Sequence, residues 1–430
     1  MLRAIRRTPA VMLFLLLGGC AAASPAARGV PVPSAVPLPS VPSVRAVPVP
    51  MGWDRPGFDP GNTFFNPGET VLTAGSIGRL VKKWSVRLRV DKQSCPGQID
   101  VGPPVVSGDH VVIGDHKGIS VYAARTGLRL WAFQWDDFGE GLRPTLTITN
   151  RLVIAGYAEC YSVSNSKSRL IAFDPTTGKP RWAQDGTPSV AYVVVDKGVA
   201  MASGWEDPSS VGLAAYSLAN GEQIWSKPGH IATGVSAGGT VLAHEINVNE
   251  EVPETVTGVD ITTGATRWTA KGTWYAEAAS PAGDRLYASD EKGELAAFRV
   301  ADGTVAWTAP PGPGDHGEWT MGSMSIATDG VRVYRSSDRT LEALDAPTGR
   351  LLWTYRMKTS SPQPVVAGGL VYVDGVALHA DRGKVAYFGP ALTGAVVVTG
   401  GRLFQVNGDT LSVYAPAQRP DRPPALSPRP

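Results

Sequence analysis

A short motif that ends in an aromatic residue recurs along the chain, and it limits the possible folds more than any other feature of the sequence. Each copy consists of an apolar stretch, a turn that contains glycine, and an aromatic residue four positions after that glycine. Successive aromatic residues lie 34 to 51 positions apart, a period that is typical of propeller blades or solenoid coils. The copies are VYAARTGLRLW (121–131), AFDPTTGKPRW (172–182), AYSLANGEQIW (215–225), GVDITTGATRW (258–268), AFRVADGTVAW (297–307), ALDAPTGRLLW (343–353) and LHADRGKVAY (378–387).

Each copy predicts two strands joined by a tight turn. Side chains alternate between two faces before the turn, as in the stretch around Leu170 and Ala172, and this period of two indicates a strand. The turn glycine, for example Gly178, supplies a positive φ angle without a Cβ clash. A further β-rich run precedes each turn, and no segment has convincing helical periodicity. Because parallel sheets need helical crossovers, the sequence disfavours an α/β fold.

The repeats predict an all-β fold, an eight-bladed β-propeller with four-stranded antiparallel blades. A lone four-stranded sheet exposes its faces and edges, whereas a ring of stacked sheets buries both faces of each. Trp84 has no strand before it, and residues 395–415 supply strands with no tryptophan strand after them, so we expect the N-terminal strand to complete the last blade. The aromatic residue of each blade is expected to pack against the next blade rather than to hold a ligand. These docking residues are Trp84, Trp131, Trp182, Trp225, Trp268, Trp307, Trp353 and Tyr387, and the tyrosine marks the weakest copy.

The repeat carries a family resemblance. The pattern Ala172-x-Asp174-xxx-Gly178-Lys179-xx-Trp182 resembles the tryptophan-docking motif of the pyrroloquinoline-quinone (PQQ) propeller repeat, and residues 53–73 resemble the lead-in of such propellers. The resemblance covers roughly residues 53–415. It implies the propeller fold and a relationship to two functional classes. These are the quinoprotein alcohol dehydrogenases and the BamB-like lipoproteins, which bridge partner proteins.

Resemblance to the dehydrogenases would imply a PQQ site with adjacent cysteines, a calcium ion held by Glu, Asn and Asp side chains, and a tryptophan beneath the quinone. The cysteines of this chain, Cys20, Cys95 and Cys160, are not adjacent, and the sequence has no EF-hand-like acidic loop. Its histidines form no HxH or HExxH pattern. We therefore predict no catalytic, cofactor-binding or metal-binding residues. A PQQ-dependent oxidoreductase, or a hydrolase with its site in a loop, is the enzymatic alternative.

The N-terminus has the pattern of a secretory signal. Three arginines precede an apolar run (10–17) that is shorter than the roughly 20 residues of a membrane-spanning helix. Leu17-Gly18-Gly19-Cys20 resembles the bacterial lipobox, which implies cleavage before Cys20 and lipidation of that cysteine. An ordinary signal peptide with an incidental cysteine is the alternative. We therefore divide the chain into a signal peptide (1–19), a lipidated cysteine with a proline-rich linker (20–50), the propeller (51–415) and a disordered tail (416–430).

The charge of the chain excludes one class of partner. The formal net charge is +2, and removal of a signal peptide with three arginines and no acidic residue leaves 2 − 3 = −1. A mature chain of this charge is not a globally basic nucleic-acid binder.

Cys95 and Cys160 are expected to form a disulfide. Cys95 lies in the connection into the first blade, and Cys160 lies in the loop between the middle strands of the second. In antiparallel four-stranded blades these two kinds of loop emerge on the same face, and an exported compartment permits oxidation. Two free thiols that are too far apart to bond are the alternative.

The same face carries the longest insertions between strands. These insertions combine acidic residues with three aromatic residues that we expect to be exposed, Trp135, Tyr161 and Trp205. A rigid scaffold with variable loops is a common basis for a binding surface, and aromatic residues often anchor a partner. A solvated acidic rim is the alternative interpretation.

Taken as a whole, the sequence predicts a lipid-anchored, extracytoplasmic propeller on the cell membrane. We expect it to be a monomer that acts as a non-catalytic scaffold for one or more unidentified envelope proteins. We expect no cofactor and no nucleic-acid partner, and the bilayer is contacted through acylated Cys20. Besides an oxidoreductase, the alternative is a sensor that binds a small ligand in the central channel.

Overall fold

The computed structural model describes residues 52–89, 101–115, 117–135, 144–149, 151–158, 168–186, 188, 190–207, 210–246, 255–313, 324–359 and 362–417. Within these ranges the chain forms eight small sheets and two short 3-10 helical turns. The sheets are the blades of an eight-bladed β-propeller, which confirms the predicted all-β fold.

Three strands and one helical turn come before the first blade. They are β1 (Gly52–Trp53), β2 (Phe65–Asn66), the 3-10 turn Ile77–Arg79 and β3 (Leu80–Arg87). Blade 1 contains β4 (Val105–Ser107), β5 (His110–Asp115), β6 (Gly118–Ala123) and β7 (Arg129–Gln134). Blade 2 contains β8 (Thr145–Ile148), β9 (Val153–Ala158), β10 (Ser168–Phe173) and β11 (Pro180–Asp185). Blade 3 contains β12 (Tyr192–Asp196), β13 (Val199–Asp207), β14 (Ser210–Ser217) and β15 (Gln223–Pro228).

The remaining blades follow in chain order. Blade 4 contains β16 (His230–Ala237), β17 (Thr240–Glu245), β18 (Thr255–Asp260) and β19 (Thr266–Lys271). Blade 5 contains β20 (Tyr275–Ala279), β21 (Arg285–Ser289), β22 (Leu295–Arg299) and β23 (Val305–Ala309). Blade 6 contains β24 (Ser325–Thr328), β25 (Arg332–Ser337), β26 (Thr340–Asp345) and β27 (Leu351–Arg356). Blade 7 contains β28 (Val365–Ala367), β29 (Leu370–Val373), β30 (Val376–His379) and β31 (Val385–Phe388), and the 3-10 turn Pro390–Leu392 leads to β32 (Ala395–Thr399), β33 (Arg402–Asn407) and β34 (Thr410–Pro416).

Each of blades 1 to 7 is a meander whose strands follow one another from the innermost to the outermost position. Neighbouring strands are antiparallel, so the turns between first and second and between third and fourth strands lie at one end of every blade. We call this end the turn face, with the turn between Ser107 and His110 as an example. The loops between second and third strands and the links between blades lie at the other end, which we call the connection face. The link from Phe388 to Ala395 is an example.

Blade 8 is built from both ends of the described chain. Its three inner strands are β32, β33 and β34, and its outermost strand is β3. Trp84 of β3 pairs with Val413 of β34. The expectation that the N-terminal strand completes the last blade is thereby confirmed.

The segment Gly52–Asn66, here called the N-terminal circuit, contacts the first strand of every blade in ring order. β1 pairs with β4 of blade 1, and β2 pairs with β28 of blade 7. Circuit carbonyls accept hydrogen bonds from main-chain N–H groups of blades 2, 4, 5 and 6, and the Arg55 side chain donates a hydrogen bond to the Val195 carbonyl of blade 3. Gly52 and Asn66, at its two ends, both bond to blade 8. One short segment reaches eight first strands only because these strands surround a common channel. Most of its contacts are at the last residues of those strands, so the circuit lies at the turn face.

The apolar core is divided into layers between neighbouring blades. Val112 and Ile119 of blade 1, for example, share one cluster with Leu146 and Ala155 of blade 2. The outermost strands instead show alternating exposed and half-buried residues, as in β7. Because the repeated layers resemble one another, a layer that departs from the pattern is a natural place for a specific site.

Candidate functional site

Seven indole side chains join neighbouring blades. The Nε1–H group of each tryptophan donates a hydrogen bond of 2.8 to 3.2 Å to a main-chain carbonyl of the following blade. The donor and acceptor pairs are Trp84 with Ala124, Trp131 with Pro175, Trp182 with Leu218, Trp225 with Ile261, Trp268 with Val300, Trp307 with Ala346 and Trp353 with Ala380. These indoles therefore have a structural role in the ring, as expected for a buried group with one polar atom.

The turn glycine of the following blade provides the space for each indole. At Gly303 the φ angle is +72°, and an added Cβ would lie 2.4 Å from the Trp268 ring. The corresponding distances at the other six junctions are 2.5 to 2.8 Å. Glycine is thus required in each repeat for two reasons: the φ angle is positive, and the neighbouring ring leaves no room for a Cβ atom.

The junction between blades 7 and 8, here called the seam, has no indole contact among the described residues. In the other blades the indole docks on the turn between the third and fourth strands. In blade 8 these strands, β34 and β3, come from opposite ends of the described chain and no turn joins them. Ala417 donates a hydrogen bond of 2.9 Å to the Arg79 carbonyl at this place. Tyr387 occupies the indole position of blade 7, and an added Cβ on Gly78 would lie 3.9 Å from its ring. The weakest copy of the motif therefore sits where the ring closes.

A cavity of about 1470 Å³ opens at the seam. Its outer part is on the connection face, between the blade 7 turn near Asp374, the link that begins at Phe388 and the blade 8 turn near Asn407. Its inner part continues into the channel, where the first strands of blades 1, 2, 7 and 8 form walls. Trp53 and Phe64 of the N-terminal circuit line its inner end. The circuit thus limits the cavity on the side of the turn face.

One buried polar group at this cavity has no hydrogen-bond partner among the described residues. The Tyr372 side chain is fully buried and lines the cavity, and its hydroxyl is unpaired. Burial and the nearby Glu69 carboxylate raise the pKa of Tyr372, so the hydroxyl keeps its proton and stays a donor. A buried hydroxyl without a partner costs about 1–3 kcal/mol.

Glu277 is the most strongly perturbed carboxyl near the channel. Ala276 and Ala278 pair with successive residues of β21, so Glu277 is the extra residue of a β-bulge in β20. The Ser289 hydroxyl donates a 2.5 Å hydrogen bond to Glu277, and the Met324 N–H donates another. Desolvation by burial raises the pKa of Glu277 to about 8. The side chain is therefore mainly neutral at pH 7.

The resemblance to dehydrogenases implies a calcium-bound quinone. The described residues contain no group of three or more His, Cys, Asp or Glu side chains placed to hold a metal ion. Glu277 already accepts hydrogen bonds from the Ser289 hydroxyl and the Met324 N–H. No reaction step is derived through this cofactor.

Trp135 does not belong to an exposed surface, contrary to the prediction. Only 7% of its surface is exposed. Its ring stacks on Tyr157 with centroids 4.6 Å apart and meets Phe133 edge to face at 5.3 Å. Trp135 follows β7 directly, so its side chain lies in the core layer between blades 1 and 2. The burial of Trp135 could not be seen in the sequence, because polar residues follow it.

The structure describes only part of the remaining predicted site residues. Cys20, Cys95, Cys160 and Tyr161 lie outside the described residues, so lipidation, the disulfide and this part of the surface stay predictions. Trp205 lies on β13, where it pairs with Val211. Its side chain is outside the described part of the chain. No helix in the described ranges is long and apolar enough to cross a membrane.

The fold and the repeated indole contacts define a propeller of the PQQ-like class. A quinohemoprotein alcohol dehydrogenase from Comamonas testosteroni has the same fold with a TM-score of 0.63 and 13% identity, covering 86% of this chain and 82% of that one. BamB from Moraxella catarrhalis has a TM-score of 0.55 and 19% identity, covering 80% of this chain and 99% of that one.

The sequence comparisons also connect the chain to both classes. The quinoprotein alcohol dehydrogenase PedH of Pseudomonas putida is 25% identical over 273 residues. The match covers 57% of this chain but only 44% of PedH, so the chain spans less than half the length of this relative. The family described as outer membrane protein assembly factor BamB matches residues 51–245 and 252–418. The chain belongs to this family.

Proposed function

We propose that the protein is a lipid-anchored, extracytoplasmic scaffold that binds partner proteins of the cell envelope without catalysis. The observation that carries the proposal is the match of the assembly-factor family along nearly the whole propeller. The proposed binding surface is the connection face, where the seam cavity opens and where the strands that flank the long insertions end.

The structure supports a rigid scaffold. The N-terminal circuit bonds to all eight first strands, and seven indoles bond neighbouring blades from the outside. Glu69, just after the circuit, accepts hydrogen bonds from Val71, Leu72 and Gly401 and so holds this segment on blade 8. These contacts fix the blades relative to one another, so the scaffold itself loses little conformational entropy when a partner binds.

The anchor is tested by fractionation of cells that produce the full chain with a C-terminal tag. We expect the wild-type protein in the membrane fraction, because acyl chains on Cys20 bind a bilayer stably. The Cys20→Ala variant is expected in the soluble extracytoplasmic fraction. A wild-type protein that fractionates as soluble would contradict the anchor.

The scaffold function is tested by chemical crosslinking in intact cells of the source organism, followed by enrichment of the tagged protein. We expect the same envelope proteins in replicate experiments. They should be missing from a control in which the tag is carried by an unrelated lipoprotein. Failure to recover any protein above this control would contradict the scaffold function.

The similarity to PedH keeps an oxidoreductase as the second candidate. Purified full-length protein incubated with PQQ, calcium and a series of alcohols is assayed with an artificial electron acceptor. We expect no dye reduction above that of protein without PQQ. Turnover at rates typical of enzymes, on the order of 1 s⁻¹ or faster, would replace the scaffold proposal.

A further inference from the structure

Exposed apolar side chains are concentrated at the turn face of the propeller. Eleven large apolar residues are exposed among those that the structure describes. Phe388 ends β31 at the connection face, and Val71 lies against Gly401 in a turn of blade 8. The other nine lie in turns of the turn face or within the first two residues of an outermost strand. Because each outermost strand starts at the turn face, ten of the eleven residues lie at this end of the ring.

These residues are not spread evenly around the ring. Eight of the ten belong to the consecutive blades 6, 7, 8 and 1, whereas the described parts of blades 2 to 5 contribute only Ile224 and Val305. Single exposed apolar side chains are normal on a protein surface, but a continuous series indicates an interface. The six that define this surface, here called the aliphatic arc, are Val331, Leu351, Val385, Val81, Leu128 and Leu130.

Basic residues accompany the arc. In blades 7, 8 and 1, the turn-face turns and the outermost strands up to the docking aromatic residue hold six exposed lysines and arginines. Two exposed acidic residues, Asp109 and Asp381, lie among them and pair with arginines, so the net charge is 6 − 2 = +4. Glu69, Arg79 and Arg402 are less exposed and add a further 2 − 1 = +1. The six exposed basic residues are Lys82, Lys83, Arg125, Arg129, Arg382 and Lys384.

The same segments of blades 2 to 5 are nearly neutral. Among their described residues, seven basic and six acidic side chains give 7 − 6 = +1 over four blades. One side of the turn face therefore combines aliphatic side chains with positive charge, and the other side has neither feature. Apolar area together with basic residues is the combination that binds a protein to the surface of an anionic bilayer.

The place where the chain enters the propeller favours a bilayer over an acidic protein as the partner. Gly52 pairs with Ser107 at the turn face of blade 1, and its N–H donates a 3.0 Å hydrogen bond to Thr399 Oγ1 at the turn face of blade 8. The proline-rich linker (20–50) therefore joins the propeller on the turn face, between two of the blades that carry the basic residues. An extended linker of this length spans about 100 Å, so an anchor at Cys20 alone would not orient the propeller.

We propose that the aliphatic arc and the basic residues of blades 7, 8 and 1 bind the surface of an anionic bilayer. The aliphatic side chains enter the headgroup region, and the lysine and arginine side chains contact the anionic headgroups. This inference rests on the proposed lipid anchor, which brings the propeller to the membrane. The connection face then points away from the bilayer, where a partner protein can reach it.

The contact by itself is weak and reversible, because a few aliphatic side chains bury little apolar area. A chain without acyl groups is therefore released when membranes are diluted and washed. In the anchored chain the linker keeps the turn face close to the bilayer, and the high effective concentration makes the weak contact sufficient.

The surface is tested without its anchor by co-sedimentation of the Cys20→Ala chain with lipid vesicles. The vesicles consist of phosphatidylcholine with or without phosphatidylglycerol. We expect binding to the vesicles with phosphatidylglycerol, and this binding should weaken as the salt concentration rises. Equal binding to both kinds of vesicle, or no binding to the anionic ones, would overturn the proposal. In the second case, wild-type protein in the membrane fraction would leave the lipid anchor standing.

Two matched pairs of substitutions in the Cys20→Ala chain locate the contact. Leu130 and Ile224 each precede a docking tryptophan and are each 48% exposed, and Lys384 and Lys179 are exposed and each follow a turn glycine. We expect Leu130→Ser to weaken binding to the anionic vesicles several-fold and Lys384→Glu to weaken it about ten-fold, because charge reversal adds repulsion to the lost attraction. Ile224→Ser and Lys179→Glu should bind like the parent chain. If the two members of each pair have the same effect, the arc is not the contact.

The acylated wild type gives a second readout that does not depend on substitutions. Membranes of the source cells are supplied with a photoactivatable phosphatidylglycerol, and the crosslinked peptides are identified by mass spectrometry. We expect crosslinks to residues 125–130 of blade 1 and none to residues 219–224, the equivalent segment of blade 3. Equal crosslinking of both segments would overturn the proposal. So would the absence of lipid crosslinks at 125–130, the result expected if a protein covers the arc.

Discussion

The docking of an indole on a turn glycine is tested by the substitution Gly303→Ala. At this position φ is +72°, and the new Cβ would lie 2.4 Å from the Trp268 ring. Gly369→Ala is a matched control, because φ is +74° there and nothing lies within 4 Å of an added Cβ. The two variants therefore introduce the same backbone strain, and only Gly303→Ala adds a steric clash.

The magnitudes follow from these two terms. An alanine in the left-handed region costs about 1–2 kcal/mol, so we expect Gly369→Ala to lower the free energy of unfolding by this amount. In Gly303→Ala the Trp268 ring must also move and lose its hydrogen bond to Val300. Trp268 is only 8% exposed, and removal of a buried tryptophan side chain costs about 3–5 kcal/mol. We therefore expect a total loss of about 4–7 kcal/mol for Gly303→Ala.

The assay is equilibrium unfolding in urea at pH 7, followed by far-UV circular dichroism, for the wild type and both variants. The informative quantity is the difference between the two variants. If Gly303→Ala and Gly369→Ala destabilise the protein equally, the indole does not depend on the turn glycine and the docking argument fails.

Three further predictions concern buried charged or polar groups. Glu277 has a raised pKa of about 8, so between pH 4.5 and 8 the folded state keeps a proton that the unfolded state releases. As pH rises through this range, the free energy of unfolding of the wild type should fall by up to a few kcal/mol relative to that of Glu277→Gln. If urea unfolding at pH 5, 6.5 and 8 gives the same difference between the two proteins at every pH, the prediction is contradicted. Arg335 binds the buried Glu342 carboxylate at 2.6 and 3.0 Å, so Arg335→Met should cost about 3–5 kcal/mol while the double variant with Glu342→Leu is close to neutral. A double variant as unstable as the single one in urea unfolding would refute this. Glu69→Ala leaves three main-chain N–H groups without their acceptor and should lower stability by at least about 2 kcal/mol, whereas an unchanged melting temperature would mean that this carboxylate does not hold the segment.

The repeated parts of the fold were predictable because every blade is encoded by the same local sequence pattern. The alternation of apolar residues, the turn glycine and the aromatic residue occur together in every copy, and a ring is the arrangement that buries all of them. The completion of the last blade by the strand of Trp84 followed from counting strands at the two ends of the series.

The parts that occur once could not be predicted in this way. The N-terminal circuit is held mostly by main-chain carbonyls, which leave no pattern of side chains in the sequence. Trp135 was expected in an exposed insertion because polar residues follow it, yet its ring is buried against Tyr157. The seam cavity likewise has no repeated pattern in the sequence. Tyr387, which lines it, was recognised only as a weak copy of the motif.

The closure of the ring explains why blade 7 has a tyrosine, and two substitutions test this explanation. Trp353→Tyr removes a hydrogen bond to Ala380 and part of a ring that fits against Gly383, so we expect a loss of about 1–3 kcal/mol in urea unfolding. Tyr387→Trp restores the aromatic residue of the repeat, but blade 8 offers no turn to accept it. We therefore expect no gain in stability beyond about 0.5 kcal/mol, the usual range of surface changes. A gain of more than about 1 kcal/mol, the size of a typical hydrogen bond, would show that blade 8 has a docking site for an indole after all. The tyrosine would then have to be explained by something other than the way the chain closes on itself.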